Sequence, residues 1–277
     1  MKTDIENIEI DLFLEAVFKC YGYDFRHYAR ASLKRRIKKL IKKNGYKRIN
    51  DMTSDILHDR SFFEKVVYDF SITVTEMFRD PSFYRNLREK IIPYLKTYPF
   101  IKIWHAGCAT GEEVYSLAIL LKEEGIYNKT TIFATDFNGD ALETARQGIY
   151  SLKDMQTYTT NYQKAGGKAS FADYYHAKYK SAIMSNALSQ NVTFANHNLV
   201  TDSVFGEMHL ILCRNVLIYF NRELQNRVLS LFNESLVKRG FLALGSKESI
   251  QFSSLENDFN PIDKKNKIFQ KIKQANI

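Results

Sequence analysis

The stretch Ile101–Ser116, IKIWHAGCATGEEVYS, decides the fold. Apolar Ile101, Ile103 and Trp104 run into Ala106-Gly107, and a turn of small residues follows, Cys108-Ala109-Thr110-Gly111. Glu112-Glu113 then open an amphipathic helical pattern that continues to Leu121. Strand, glycine turn and helix in that order form the nucleotide-cradling unit of a doubly wound α/β sheet. Glycines in such a turn let backbone amides approach a ligand, because no Cβ stands in the way. A tight connection without a ligand uses the same residues, so the remainder of the chain has to arbitrate.

Downstream the pattern alternates strand and helix, the signature of a parallel sheet. Strands are expected at Ile101–His105, Thr131–Ala134, Val192–Phe194, Leu210–Cys213 and Phe241–Leu244. Helices are expected at Glu113–Glu124, Gly139–Gln147 and Glu223–Val237. Between Tyr158 and Asn191 the apolar period breaks down among Tyr, Lys, Ala and Gly, which reads as an insertion forming a short β-ribbon. The tail carries IDKKNKIFQKI, a candidate edge hairpin. Upstream, apolar spacing predicts helices over Ile8–Tyr21, Tyr28–Asn44, Phe62–Phe70 and Phe83–Ile91, the last started by Asp80-Pro81. Ser71–Asp80 between them reads as extended.

The fold class expected is therefore α/β. It is a doubly wound Rossmann-like sheet, mostly parallel with an antiparallel C-terminal edge strand, with a small all-α N-terminal domain and a short inserted subdomain. The domains predicted are 1–72, a linker over 73–90 that contributes to the cofactor site, and 91–277 with the insertion at about 158–191.

A formal charge of +9 over 277 residues points to an anionic partner. Much of it lies on one predicted helix, Tyr28–Asn44, and no acid occurs between Phe25 and Asn50. Cys20, Cys108 and Cys213 lie far apart, which argues against a disulfide framework and against a zinc site. The N-terminus carries acids within its apolar stretch and lacks a small-residue cleavage site. No run approaches the roughly 20 apolar residues of a membrane helix. A reduced, cytoplasmic protein is expected.

Four features fall where such a sheet gathers them, outside the carboxyl ends of its strands. The first is the glycine turn. The second is Asp136, directly after a strand, where an acid accepts hydrogen bonds from ribose hydroxyls; a helix N-cap is its plainer role. The third is Asn196-His197-Asn198-Leu199, placed for an adenine edge, with His197 read as structural. The fourth is Arg214-Asn215 at a strand exit, where a buried polar pair needs partners and a ligand or substrate is the expected one. Adenosine with an acid at its ribose leaves NAD, a nucleoside triphosphate or S-adenosylmethionine. The turn lacks the G-x-G-x-x-G spacing and the Lys-Ser/Thr of a phosphate loop. Glu112-Glu113 at the helix entry would repel a pyrophosphate and welcome a sulfonium with an α-amino group, which selects S-adenosylmethionine.

SITVTEMFRD, WHAGCATGEEVYSLAILL, FATDFNGDALETARQGIY and ILCRNVLIYF, in this order, resemble the successive motifs of the CheR family, the chemotaxis-receptor glutamate O-methyltransferases. The basic LKRRIKKLIKKNGY and the closing GFLALGSKESI and FNPIDKKNKIFQKI extend the resemblance over nearly the whole chain. It implies that Thr73, Thr75 and Arg79 contact the cofactor, with Arg79 near the reaction centre. It places Ala106 and Gly107 in the cofactor turn, Glu113 at the methionine amino group, and Asp136 and Phe137 at the ribose. Asn198 and Leu199 flank the adenine, and Asn215 and Val216 line the methionine end. Tyr219 matches an active-site tyrosine beside the substrate carboxylate.

The implied reaction is in-line transfer of a methyl group from S-adenosylmethionine to a protein glutamate, giving a γ-methyl ester and S-adenosylhomocysteine. No metal is needed. The implied partner is the acidic helical cytoplasmic domain of a chemoreceptor-like protein, docked on Arg35, Arg36, Lys38, Lys39 and Lys42. No DNA, no membrane insertion and a monomer are expected. The chain departs from the family in having Thr73 where Asn is usual and Val114 where Pro is common. Of the glycine-bearing loop with which some members dock a receptor tether, only Gly166-Gly167 remain. An RNA methyltransferase and a non-catalytic cofactor-binding adaptor are the alternative readings. The first lacks the Asn/Asp-Pro-Pro-Tyr/Phe motif common in base methylation.

Overall fold

The computed structural model describes residues 2–70, 75–251 and 253–272. Two compact units emerge: Met1–Ile72 with Val200–Asp202 and Leu217–Val228, and Thr73–Leu199 with Ser203–Val216 and Leu229–Ile277.

The first unit holds helices α1 (Lys2–Tyr21), α2 (Arg30–Asn44), α3 (Ile49–His58) and α4 (Arg60–Phe70). Its core is Ile10, Phe13, Leu14 and Val17 against Leu33, Ile37, Leu40, Met52, Ile56, Val66 and Phe70, all sealed from solvent. α2 ends as expected at Gly45, whose left-handed backbone (φ 75°) lets its amide bond the Ile41 carbonyl. The sequence reading did not foresee α3. Ile49, Met52 and Ile56 give it a buried face at helical spacing, and Asp51 accepts the Arg48 amide at its start. The segment 217–228 joins this unit through two backbone bonds, Ala29 N–H to the Tyr219 carbonyl and Asn221 N–H to the His27 carbonyl, both 2.8 Å.

The second unit is built on a seven-stranded sheet. Its strands are β1 (Ile101–Ala106), β2 (Thr130–Asp136), β6 (Val192–Asn196), β7 (Met208–Cys213), β8 (Leu236–Leu244), β9 (Phe259–Asp263) and β10 (Ile268–Lys271). The order is β6-β2-β1-β7-β8-β10-β9, parallel from β6 to β8. β10 runs antiparallel to both β8 and β9, so the tail is the edge hairpin that its alternation predicts. Helices α7 (Glu112–Glu123), α8 (Gly139–Gln147) and α10 (Arg222–Ser235) follow β1, β2 and β7. α10 stops two residues short of the expected end, because Leu236 already pairs with Met208 in the sheet. Every residue of α7 from Val114 to Leu121 is buried, the burial expected for a helix packed on a parallel sheet.

The insertion begins earlier than expected. β3 (Ile149–Ser151), β4 (Tyr175–Lys178) and β5 (Ser181–Met184) form a separate antiparallel sheet in the order β3-β5-β4. A helix, α9 (Met155–Lys164), precedes β4. Its buried face is Met155, Tyr158 and Tyr162, so tyrosines carry the helical period that seemed absent. Gly167 lies against the Tyr162 ring, where a Cβ would come within 2.1 Å of Cζ. The helix started by Pro81 is α5 (Pro81–Asn86), which passes through a π-turn at Leu87–Ile91 into α6 (Ile92–Leu95). Of the stretch 71–80, residues 71–74 lie outside the described residues.

Gly111 takes φ 90°, and a Cβ there would stand 2.8 Å from the Ala145 Cβ on α8. Gly111→Ala is expected to lower stability by about 2–4 kcal/mol, left-handed strain plus overpacking, in a urea titration. An unchanged midpoint would contradict the close packing of the turn on α8.

Candidate functional site

The site is built at the carboxyl ends of β1, β2 and β7. Beyond Ala106, the amides of Gly107 and Cys108 both donate to the Thr135 carbonyl, at 2.8 and 2.9 Å. The Asp136 carboxylate fastens the turn further: Oδ2 accepts the Ala109 amide and Oδ1 the Asn138 amide, each at 2.9 Å. The helix cap itself is Asn138, whose side-chain oxygen accepts from Asp140 and Ala141. Asp136 is therefore not the N-cap. Burial pushes its carboxyl up, opposed by the amides of Asn138 and Ala109. The Phe137 amide is a third backbone donor to this carboxylate, which leaves about one of its four lone-pair sites for a hydroxyl donor.

The two turn glycines serve close packing. A Cβ on Gly107 (φ 75°) would meet Val216 Cγ2 at 2.5 Å, so the loop after β7 rests on the turn. This contact brings Gly107 and Val216 of the predicted cofactor set together. Asn196 Nδ2 donates to the Phe137 carbonyl at 3.0 Å, which holds Phe137 to the strand leading into Asn198 and Leu199. His197 packs edge-on against Trp104, 5.2 Å between centroids, with its Nε2 3.2 Å from the Ser203 carbonyl.

Arg214 corrects the sequence reading. Its partners are carboxylates of the protein itself, not a ligand. Nη1 donates to Glu113 Oε1 at 2.8 Å and Nη2 to Asp80 Oδ2 at 2.7 Å, while the guanidinium lies 4.1 Å above the Phe83 ring. His105 approaches the same Glu113 oxygen at 3.7 Å. Burial alone would raise the Glu113 carboxyl, but the Arg214 charge and His105 outweigh it and hold it at about 2. Burial pushes its neighbour Glu112 up to about 7, despite a hydrogen bond from the Thr110 hydroxyl. The helix entry thus carries one matched carboxylate and one that is half protonated near neutrality, rather than two bare charges.

What survives is a set of acceptors suited to an ammonium group. Glu113 Oε2 has no hydrogen-bond partner among the described residues, and the buried Asn215 Oδ1 has none either. Asn215 adopts φ 62°, and its amide donates to Glu248 Oε2 at 3.0 Å. The same Glu248 oxygen accepts the Gly245 amide at 2.5 Å. These residues fit the amino end of S-adenosylmethionine, and Asp136 fits its ribose. Four non-glycine residues with left-handed backbone surround this region: Phe78, Asp80, Ala109 and Asn215.

Thr75 and Arg79 are partly buried, and the Arg79 carbonyl lies 3.4 Å from both terminal nitrogens of Arg214. Thr73 lies outside the described residues. Tyr219 belongs to the first unit, its ring beneath the Arg36 guanidinium at 4.9 Å. Arg36 is a second correction. It is buried and donates to the Phe70 carbonyl, so it is no part of an exposed docking face. Arg35, Lys38, Lys39 and Lys42 are exposed. Lys38 shares Glu6 with Lys34, whereas Arg35, Lys39 and Lys42 make no ion pair among the described residues.

Sequence reasoning missed Asp80, His105 and Glu248. Asp80 looked like a helix starter before Pro81. Glu248 lies 33 residues beyond its partner Asn215, and no local signal marks the pair. Among the described residues no helix is long and apolar enough to cross a membrane, and no three His, Cys, Asp or Glu residues cluster so as to hold a metal ion.

Residues 73–268 match the model of the CheR methyltransferase SAM-binding domain. The second unit is therefore an S-adenosylmethionine-dependent methyltransferase domain. Residues 8–71 match the all-alpha domain of the same proteins. The chain belongs to the CheR methyltransferase family. It is 51% identical over 265 residues to a protein of Pseudomonas putida named Cher3, covering 96% of this chain and 97% of that protein. It is 29% identical over 242 residues to a chemotaxis protein methyltransferase of Listeria innocua, covering 86% and 88%. The corresponding protein of Borreliella burgdorferi is 27% identical over 265 residues, covering 91% of each.

A carboxyl held at about 7, against 4.5 in the unfolded chain, binds its proton more tightly when folded. Its contribution is present below pH 4.5 and is lost as pH rises through 7. Glu112→Gln is expected to leave stability unchanged at pH 4.5 and to raise it by about 2–3 kcal/mol at pH 8. Melting curves at the two pH values check this, and equal shifts at both would contradict it.

Proposed function

We propose that this chain transfers a methyl group from S-adenosylmethionine to glutamate side-chain carboxylates of a chemoreceptor-like protein, giving γ-methyl esters and S-adenosylhomocysteine. The observation that carries this reading is the joint match, on one chain, to both the SAM-binding domain and the all-alpha domain of the CheR family. The chemotaxis names of relatives matched over most of their length point the same way.

In this reading residues 1–72 recognise the acceptor, 73–90 link the domains and contribute to the cofactor site, and 91–277 bind the cofactor. Asp136 and Phe137 receive the ribose, Asn198 and Leu199 the adenine. Ala106, Gly107, Asn215 and Val216 enclose the methionine portion, with Glu113 at its ammonium and Thr73, Thr75 and Arg79 on the linker side. When bound, the cofactor supplies an electrophilic methyl group on a sulfonium. The acceptor carboxylate is already an anion near neutral pH, so no strong general base is required. Arg79 and Tyr219 orient its oxygens, and alignment with exclusion of water supplies most of the acceleration. The acceptor is an acidic helical bundle met by the exposed side chains Arg35, Lys38, Lys39 and Lys42, and its location makes the enzyme cytoplasmic.

Asp136→Ala is expected to weaken S-adenosylhomocysteine binding by about 1–3 kcal/mol in calorimetry, the loss typical of charge-assisted hydrogen bonds. Undiminished binding would remove the ribose assignment. Incubation of tritiated cofactor with a membrane fraction from the same organism should label a band whose counts leave as methanol in mild base. Base-stable label on RNA would select an RNA methyltransferase instead. Charge reversal at Arg35, Lys38, Lys39 and Lys42 together should abolish that labelling while cofactor affinity stays unchanged. Persistent labelling would refute the docking face.

A further inference from the structure

The acceptor residues of the cofactor site and the linker residue nearest the chemistry are far apart in sequence, and one side chain touches both. Arg214 follows β7, and its side chain is only 1% exposed. A guanidinium is a rigid planar fork that holds two carboxylates in fixed relation, whereas a lysine offers a rotatable point charge. One arm holds Glu113 Oε1 at 2.8 Å and the other Asp80 Oδ2 at 2.7 Å. Both arms also face the Arg79 carbonyl at 3.4 Å, and the Phe83 ring covers the guanidinium at 4.1 Å. Asp80 stands at the N-cap of α5 with left-handed backbone (φ 57°), yet its side chain makes no capping hydrogen bond. Its carboxylate is turned to Arg214 instead. On the other arm, capture of Oε1 leaves Glu113 Oε2 as the free acceptor.

We propose that Arg214 is a positioning residue that couples the Arg79–Asp80 linker to the methionine end of the cofactor site; the inference rests on the cofactor assignment above and deepens it. Glu113 is presented to the cofactor through one oxygen, while Asp80 fixes the backbone from which Arg79 projects. Binding of the cofactor and alignment of Arg79 are thereby linked through one guanidinium. Asp80 is also the member that can be altered at least cost to the fold, since its side chain is 40% exposed. Removing Arg214 instead leaves Glu113 charged, buried and unmatched.

The test compares Asp80→Asn, which tolerates the left-handed backbone, with Arg214→Lys, in the full chain. Calorimetry gives the Kd for S-adenosylhomocysteine, hydrogen exchange reports the peptide 75–80 in the complex, and turnover splits kcat from KM. For Asp80→Asn we expect a Kd within about threefold of wild type, exchange over 75–80 roughly tenfold faster, and kcat reduced about tenfold at an unchanged KM for the cofactor. Arg214→Lys should lose both affinity and linker protection. Wild-type exchange in Asp80→Asn would overturn the proposal, and so would a loss of affinity as large as that of Arg214→Lys. Affinity and exchange are read with the cofactor product alone, so they decide the matter even if the acceptor is not a glutamate.

Discussion

A guanidinium sealed from water cannot be left unmatched, because the desolvation of an unpaired buried ion costs several kcal/mol. Arg214 meets this requirement with Glu113 from the start of α7 and Asp80 from the start of α5, and the geometry of the candidate site follows. The strand carrying Arg214, the helix carrying Glu113 and the linker carrying Asp80 must end within reach of one planar group. Buried ion pairs are poor sources of net stability, and an apolar trio of equal volume would hold the region as well. What such a trio could not do is leave a carboxylate oxygen facing the site.

The electrostatics are correspondingly economical. Two carboxylates around one guanidinium leave a single net negative charge, which suits an ammonium group without requiring an exposed acid. Glu112, next in sequence to Glu113, is treated oppositely: it has Thr110 for company but no cation, and burial moves its titration to about neutral. Adjacent identical residues thus acquire different protonation states from their surroundings, because one reaches Arg214 and His105 and the other does not.

The sheet was legible in the sequence because its strands are short apolar runs ending in glycine, acid or polar pairs, and because helices of clear period separate them. Asp136 and the turn at Gly107 could be placed for the same reason, since strand ends in a parallel sheet converge. Arg214 was flagged as a buried cation in need of partners, yet Asp80 is 134 residues away and Glu113 is 101, and no local pattern encodes such distances. Arg36 was misplaced because a run of basic residues conceals which member turns inward; the turn of helix that aligns it with Leu33, Ile37 and Leu40 also buries it beside Phe70. The face of α9 escaped notice because Tyr158 and Tyr162 pack as apolar residues while counting as polar in a periodicity.

Phe78 and Ala109 adopt a left-handed backbone that costs such residues about 1–2 kcal/mol each, and Asp80 and Asn215 adopt it at a lower cost. Glycine at Ala109 would relieve that strain at some cost in chain entropy, whereas at Phe78 it would empty a buried site and at Asp80 it would remove a partner of Arg214. A laboratory selection for heat resistance, blind to catalysis, therefore meets one accessible gain at Ala109, in the turn that Asp136 fastens. Such a gain in stability would loosen the turn whose amide Asp136 holds, the usual exchange of function for stability.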